Sequence, residues 1–166
     1  PAFLVTAVDL SIDTHELGAI VTTTLAVTPN PAAAGVTMLH LDGRGLELQS
    51  ISVDGEPLAD ADYTYEESGL QISGLNGDCV VETIAKCHPE TNTALEGLYL
   101  SGGMYCTQCE HEGFRRMGFY PDRPDVMSIL TVRREAARAY PQLLSNGNMI
   151  ETGHCGDDRN FAVGQE

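Results

Sequence analysis

The stretch from Ile20 to Pro31 has the sequence IVTTTLAVTPNP, which is typical of a β-strand that ends at a turn. Most of its side chains branch at Cβ and therefore favour extended backbone. Pro29 and Pro31 are expected to end the strand, because proline lacks the N–H group that a sheet ladder needs. The stretch predicts a strand over residues 20–27, followed by a turn.

Similar patterns lie on both sides of this stretch. Apolar and polar residues alternate near the N-terminus, which predicts an opening strand with one face formed by Leu4, Thr6, Val8, Leu10 and Ile12. Later strands are expected over residues 36–41, 46–53, 63–65, 70–72 and 80–85. Within residues 46–53 the apolar positions change parity, which predicts a β-bulge.

Turn signals separate these segments at intervals of about ten residues. They are Asp42-Gly43, Asp54-Gly55, Ser68-Gly69 and Asn76-Gly77. Glycine suits such turns because it adopts positive φ without a steric cost. Strands at this spacing predict one all-β domain over residues 1–166, built as an antiparallel sheet, sandwich or barrel with little helix.

The C-terminal part is harder to assign. Residues 126–136 allow a helix, because Glu135 and Ala136 favour one, but we predict a strand through Val132 and a short turn before Pro141. Leu143 and Leu144 are predicted to form a strand that enters the turn at residues 145–148.

Composition excludes several classes of function. The 166 residues include 24 Asp and Glu against nine Lys and Arg, for a net charge of -15. A nucleic-acid or anionic-membrane binder needs basic residues, and no apolar run approaches the roughly 18 residues of a bilayer span. With no basic-then-apolar leader either, we expect a soluble, cytoplasmic protein that binds neither nucleic acid nor a membrane.

The charge is unevenly distributed between the two halves of the chain. Residues 1–90 contain 14 acidic and two basic residues, whereas residues 91–166 contain 10 acidic and seven basic ones. The first half could simply be a solvated surface that keeps the protein soluble. Alternatively, the arginines of the second half pair internally or across an interface.

Five cysteines, an odd number, argue against a disulfide framework. Cys106 and Cys109 form a Cys-x-x-Cys pair, and His154-Cys155 follows later, so a structural zinc site is conceivable. Zinc ribbons normally repeat the paired spacing, however, and a strand would point positions 106 and 109 to opposite faces. We predict reduced thiols and no metal, with Cys79 and Cys87 as packing residues.

The first two residues of the zinc-protease motif His-Glu-x-x-His occur twice in the chain, but the full motif does not occur. His15-Glu16 and His111-Glu112 begin it, but Ala19 and Arg115 stand where the second histidine is required. Judged by motifs alone, the chain has no complete catalytic apparatus.

Four motifs carry a family resemblance. They are NTALEGLY at 92–99, CTQCEHEGFR at 106–115, DRPDV at 122–126 and YPQLLSNGN at 140–148. In this order they resemble the N-terminal domain of the bacterial aminopeptidase N family, which are gluzincin zinc aminopeptidases. The resemblance covers essentially the whole chain and is most specific from Asn92 to Gly153.

This resemblance implies a saddle-like β-domain that packs against a thermolysin-like catalytic domain. The zinc ligands and the Gly-x-Met-Glu-Asn motif of that catalytic domain do not occur in this chain. The resemblance therefore implies zinc in the full-length enzyme, none in this fragment, and a fragment that is inactive alone. The intact metalloprotease would be a broad-specificity alanyl aminopeptidase, with the peptide N-terminus and its own catalytic domain as partners.

By residue match, the resemblance also implies two substrate-binding residues and no catalytic residue. Glu110 would hold the α-ammonium of the substrate, and Gln108 would line the pocket for the first side chain. The structural alternatives are a Glu110 paired with Arg115 or Arg116, and a Gln108 amide bonded to backbone. The family likeness also implies a cis peptide at Glu110–His111.

Two further expectations concern the rest of the chain. Arg123 is expected to pair with Asp122 or Asp125 in a turn fixed by Pro124. For function, the alternative to a peptidase domain is a stand-alone β-sandwich interaction module without peptidase role.

Overall fold

Thirteen β-strands and two short 3-10 helices make up the structure, a computed structural model that describes all residues from Pro1 to Glu166. The strands are β1 Phe3–His15, β2 Gly18–Pro29, β3 Leu39–Asp42, β4 Glu47–Val53, β5 Glu56–Pro57, β6 Tyr63–Glu66, β7 Gly69–Ile72, β8 Cys79–Cys87, β9 Gly97–Ser101, β10 Met104–Gln108, β11 Ile129–Ala137, β12 Asn148–Cys155 and β13 Arg159–Gln165. Strands hold 54% of the residues and helices 4%, which confirms the predicted all-β class.

Helical structure is limited to the 3-10 helices Pro31–Ala33 and Phe114–Arg116. Each of them contains three residues. Neither comes near the length and apolar character that a membrane-crossing helix requires.

The strands form three sheets. The largest has eight strands in the order β12-β13-β11-β1-β2-β8-β4-β5, a second has the order β3-β7-β6, and β9 and β10 form a hairpin. Neighbouring strands are antiparallel, as predicted, except that β1 runs parallel to β11. The parallel pair places a C-terminal strand beside the N-terminal one, at the middle of the large sheet.

Side chains from all three sheets share one apolar core. Val8 of β1 and Leu25 of β2 pack in the same cluster as Leu41 of β3 and Leu98 of β9. Phe119, from the loop that follows the second 3-10 helix, is fully buried in this cluster. The core therefore fixes the hairpin and the 109–120 segment against the large sheet.

The first strand differs from its predicted face. A register shift between Val5 and Ala7 reverses the alternation, so that Phe3 and Val5 are buried before the shift. Leu4 and Thr6 are exposed, and their predicted place on the face of Val8, Leu10 and Ile12 is wrong. The bulge moves one residue out of the pleat and thereby exchanges the two faces.

Other predictions in the first half are confirmed, except for the start of the third strand. The register of β4 shifts between Leu48 and Ser50, where the parity of its apolar residues changes. The turn at Asp54-Gly55 has φ of 52° and 83°, as a tight hairpin requires. The third strand begins only at Leu39, so residues 36–38 lie outside it.

The C-terminal part of the chain differs more from its predicted structure. Strand β11 begins at Ile129 and continues to Ala137, beyond the predicted end at Val132. Leu143 and Leu144 are not in a strand but in a loop, where Leu144 is 77% exposed. Four strands of the second half were not predicted, namely β9, β10, β12 and β13, and the last of these lies between β11 and β12 in the sheet.

His88 connects strand β4 to the loop that precedes the hairpin. Its Nε2 lies 2.7 Å from Glu47 Oε1 and its Nδ1 lies 3.0 Å from Glu90 Oε1. The hydrogen bond to Glu47 and then that to Glu90 raise the pKa of His88, and the bond to His88 lowers the pKa of Glu47. At pH values between the lowered pKa of Glu47 and the raised pKa of His88, both side chains are charged and form an ion pair.

We expect His88→Gln to destabilise the protein more at about pH 6 than at about pH 9. A raised folded-state pKa means that the charged imidazole contributes stability below its ordinary pKa of about 6.5, and this contribution is lost as pH rises through the raised value. Thermal unfolding at both pH values measures the difference. His154→Gln is the control, because His154 bonds the neutral amide of Asn160. An equal loss of Tm at both pH values would contradict the assignment.

Candidate functional site

A groove of about 670 Å³ lies where the hairpin β9–β10 faces the large sheet. Leu10 and Ile12 of β1 line its sheet side, and Tyr105 and Gln108 of β10 line its hairpin side. The Tyr105 hydroxyl donates to His15 O at 3.2 Å, and its ring lies 5.2 Å from that of Tyr140. These contacts fix the hairpin at the edge of the groove.

The segment 109–113 follows β10 directly and turns back on itself. Gly113 N donates to Cys109 O at 2.9 Å. A Cβ at Gly113 would collide with Gln108 O, so this close approach requires glycine. The Glu110–His111 peptide bond is cis, as predicted.

Glu110 is exposed at the end of the groove. Its carboxylate forms no ion pair, although two arginines follow within six residues. It also lines a second cavity of about 480 Å³ that contains only polar residues and glycine. The structural alternative, a Glu110 paired with Arg115 or Arg116, is therefore wrong.

Gln108 lines the same groove, and its side chain is exposed. Its Nε2 donates to Glu110 O across a long distance of 3.4 Å. The structure thus brings the two predicted site residues together. It also gives Gln108 the backbone contact that the structural alternative predicted.

Arg115 is held instead by three acidic residues. Its Nε donates to Asp122 Oδ2 at 3.0 Å, and it lies 3.1 Å from Glu112 and 3.8 Å from Asp42. Burial alone would lower the pKa of Arg115, but the hydrogen bond to Asp122 and the nearby carboxylates raise it. Arg115 is therefore a structural cation at the base of the 109–116 segment.

Asp122 is the buried centre of this network. Its side chain accepts hydrogen bonds from both Arg115 N and Arg115 Nε, and its own N–H donates to Asp42 Oδ2 at 2.9 Å. Arg116 pairs separately with Glu96 at 2.8 Å. Because both arginines have other partners, the Glu110 carboxylate is left free.

The predicted pairing of Arg123 in a turn is confirmed. It forms two hydrogen bonds of 2.8 Å with the Asp125 carboxylate. Both side chains are exposed, so this pair shapes the surface and not the groove.

The cysteines are free thiols. Burial, and then the charge of Asp122, raise the pKa of Cys109 to about 11, so this thiol is protonated at neutral pH. Cys155 donates to Glu135 Oε2 at 3.5 Å in the large sheet. Cys79 and Cys87 lie in β8, where Cys87 is buried, as expected for packing residues.

No three His, Cys, Asp or Glu side chains are arranged to hold a metal ion. The residues of this chain therefore do not fit a zinc site. What the groove offers is an unpaired carboxylate beside an amide, next to apolar walls. Such an arrangement can bind a cationic group through charge-assisted hydrogen bonds.

One groove residue was not found from the sequence. Arg134 of β11 lines the groove, and its Nε and Nη1 are buried without a hydrogen-bond partner. The sequence signal was the Arg133-Arg134 pair, because adjacent residues in a strand point to opposite faces.

No protein-family model matches the chain. Among curated proteins it is 47% identical to aminopeptidase N of Caulobacter vibrioides over 124 residues, which are 75% of this chain and 14% of that protein. It is 37% identical to aminopeptidase N of Escherichia coli over 167 aligned residues, covering 100% of this chain and 19% of that protein. The chain thus spans less than a fifth of the length of these relatives.

Solved structures with a similar fold include peptidases. The Legionella pneumophila aminopeptidase A complex with aspartic acid matches with a TM-score of 0.93 at 29% identity, covering 99% of this chain and 20% of that one. An M1 zinc metallopeptidase from Deinococcus radiodurans matches with a TM-score of 0.77 over 99% of this chain and 39% of that one. Because the sequence identity is 15%, this match shows a shared fold alone. In sequence and in fold, the chain is similar to the N-terminal domain of bacterial aminopeptidase N, and its neighbours among solved structures include an aminopeptidase A and an M1 zinc metallopeptidase.

Proposed function

We propose that this chain is the N-terminal substrate-recognition and scaffold domain of a zinc metallo-aminopeptidase that removes N-terminal residues from peptides. Glu110 binds the α-ammonium of the substrate, and Gln108 lines the pocket for the first side chain. The free Glu110 carboxylate at the end of the groove carries this proposal. The curated relatives, which are aminopeptidases, support it.

A free carboxylate gives a physical basis for choosing peptide ends. The α-ammonium of a peptide is a cation with three donors, and a carboxylate in a closed site holds it by charge-assisted hydrogen bonds. An internal peptide bond supplies no cation, so it would leave the carboxylate desolvated and unpaired. Fixing the ammonium also sets the distance to the scissile carbonyl, which is the positioning that cleavage needs.

The zinc belongs to the part of the longer enzyme outside this chain. The residues here do not form a ligand set, whereas the neighbours of similar fold are zinc metallopeptidases. In the bound state the metal would supply Lewis-acid activation for hydrolysis. We further propose that this enzyme acts in the cytoplasm, which cell fractionation would test.

We expect the 166-residue chain alone to release no p-nitroaniline from alanyl-p-nitroanilide with added zinc. The chain holds the ammonium but lacks the metal-binding residues that hydrolysis requires. The longer protein should hydrolyse the same substrate, and a chelator should abolish that activity. Chelator-sensitive hydrolysis by the short chain would overturn its inactivity. An inactive, zinc-loaded longer protein would contradict the peptidase role and favour an interaction module.

A further inference from the structure

Arg134 is the one arginine whose buried nitrogen atoms lack a hydrogen-bond partner. Both Nε and Nη1 are inaccessible to solvent and unbonded. The residue lies on β11 and lines the groove together with Val132 and Ala136 of the same strand. The groove is lined by both apolar and polar residues, Gln142, Asn146 and Glu166 among the latter, and Arg134 forms no ion pair with any of them.

Most other arginines of the chain pair their guanidinium group with a carboxylate. Six of the eight arginines form ion pairs, at positions 115, 116, 123, 133, 138 and 159. The contrast is sharpest with Arg133, the next residue on the strand. Arg133 donates to Glu135 Oε1 at 2.6 Å and lies 4.0 Å above the Phe161 ring.

An unpaired guanidinium in this position is costly. Arginine does not lose its proton at accessible pH, so it cannot avoid the cost by becoming neutral. Burial lowers the pKa of Arg134, as expected for a cation without a partner. Glu110, Glu135 and Glu166 line the same groove, yet none of them forms an ion pair with Arg134. An anion from outside the chain would remove the cost.

The groove also presents apolar surface that one small anion would not cover. Met104 at its hairpin side is 63% exposed, and Leu144 in the opposite loop is 77% exposed. Exposed apolar side chains in a groove that also holds an unpaired arginine are typical of a protein–protein contact. The relatives are more than five times longer than the aligned part of this chain, so a covering segment is available in such proteins.

We propose that Arg134 is the docking residue for an acidic side chain on the part of the longer protein that packs against the β11 side of this groove. This inference rests on the proposed function, because it assumes that the chain is one domain of a longer enzyme. The occupant is an Asp or Glu side chain surrounded by apolar residues. It accepts a charge-assisted hydrogen bond from Nε or from Nη1, which point to different sides of the guanidinium.

Opposite effects of one substitution test this proposal. In the 166-residue chain, Arg134→Met removes an unpaired and partly buried charge and should raise Tm by roughly 2–4 °C. In the longer protein the same substitution removes an ion pair and leaves the partner carboxylate buried, so Tm should fall by at least as much. Arg133→Met is the matched control on the same strand, and it should lower Tm in both proteins.

Three results would overturn the proposal. A rise of Tm in both proteins would mean that Arg134 has no partner, and a fall in both would mean that it is satisfied within the chain. Self-association of the short chain that Arg134→Met abolishes, seen by sedimentation, would assign the groove to a second copy. These readouts do not depend on peptidase activity, so an inactive longer protein would refute the proposed function without deciding the role of Arg134.

Discussion

Replacing Glu110 by Gln in the longer protein should lower kcat/KM for alanyl-p-nitroanilide by about 100- to 1,000-fold. The amide has nearly the same shape but no charge, so the substrate α-ammonium would lose its charge-assisted partner in a closed site. Losing one partner of such a pair costs about 3–4 kcal/mol, which corresponds to this factor. Steady-state kinetics with kcat and KM determined separately measure the loss.

Two comparisons make the Glu110 experiment specific. Glu112→Gln is the matched control, because Glu112 is exposed and pairs with Arg115, and its loss should change kcat/KM by a few-fold at most. The ratio of activities on free and N-acetylated substrate should also fall in the Glu110 variant. If Glu110→Gln behaves like Glu112→Gln, this carboxylate does not bind the peptide end.

Asp122→Ala should lower the free energy of unfolding of the 166-residue chain by about 3–5 kcal/mol. The Asp122 side chain is 8% exposed and holds both the Arg115 backbone N–H and its guanidinium. Removing one partner of a buried pair leaves the other as an uncompensated charge, which is the costly case. Urea unfolding followed by circular dichroism measures the change.

The neighbouring turn supplies the control for Asp122. Asp125 also pairs with an arginine, but both partners are about half exposed, so Asp125→Ala should have a much smaller effect. Because Asp122 anchors the segment that carries Glu110, Asp122→Ala should also reduce kcat/KM of the longer protein. Equal stability losses for the two variants would show that burial of Asp122 is not the cause.

Local patterns were sufficient to predict most strands of the first half. The β-branched run at residues 20–27 and the parity change in β4 are properties of short segments, and each element appears where it was expected. The predicted face of the opening strand is wrong at Leu4 and Thr6, because the alternating sequence pattern continues through the bulge without a sign of it. Register there is set by the partner strand, which local alternation does not report.

Long-range pairing could not be predicted from such patterns. Strand β13 has three buried residues in succession at 162–164, and β12 is largely exposed, so neither has strong alternation. The two leucines at 143 and 144 are apolar because they line a groove, not because they pair in a sheet. At the site, Glu110 and Gln108 came from a family resemblance, whereas the ion pairs that leave Glu110 free required coordinates.

The parallel pairing of β1 with β11 determines when the sheet can be completed during synthesis. Residues 7–13 of β1 each pair with a residue 122 positions later in the chain. A nascent chain can form the β1–β2 hairpin early, but the other edge of β1 stays open until β11 has left the ribosome. Pairs so distant in sequence form slowly, and an open edge is a template for aggregation. Chaperone capture of the emerging N-terminal half should therefore persist until most of these residues have been translated.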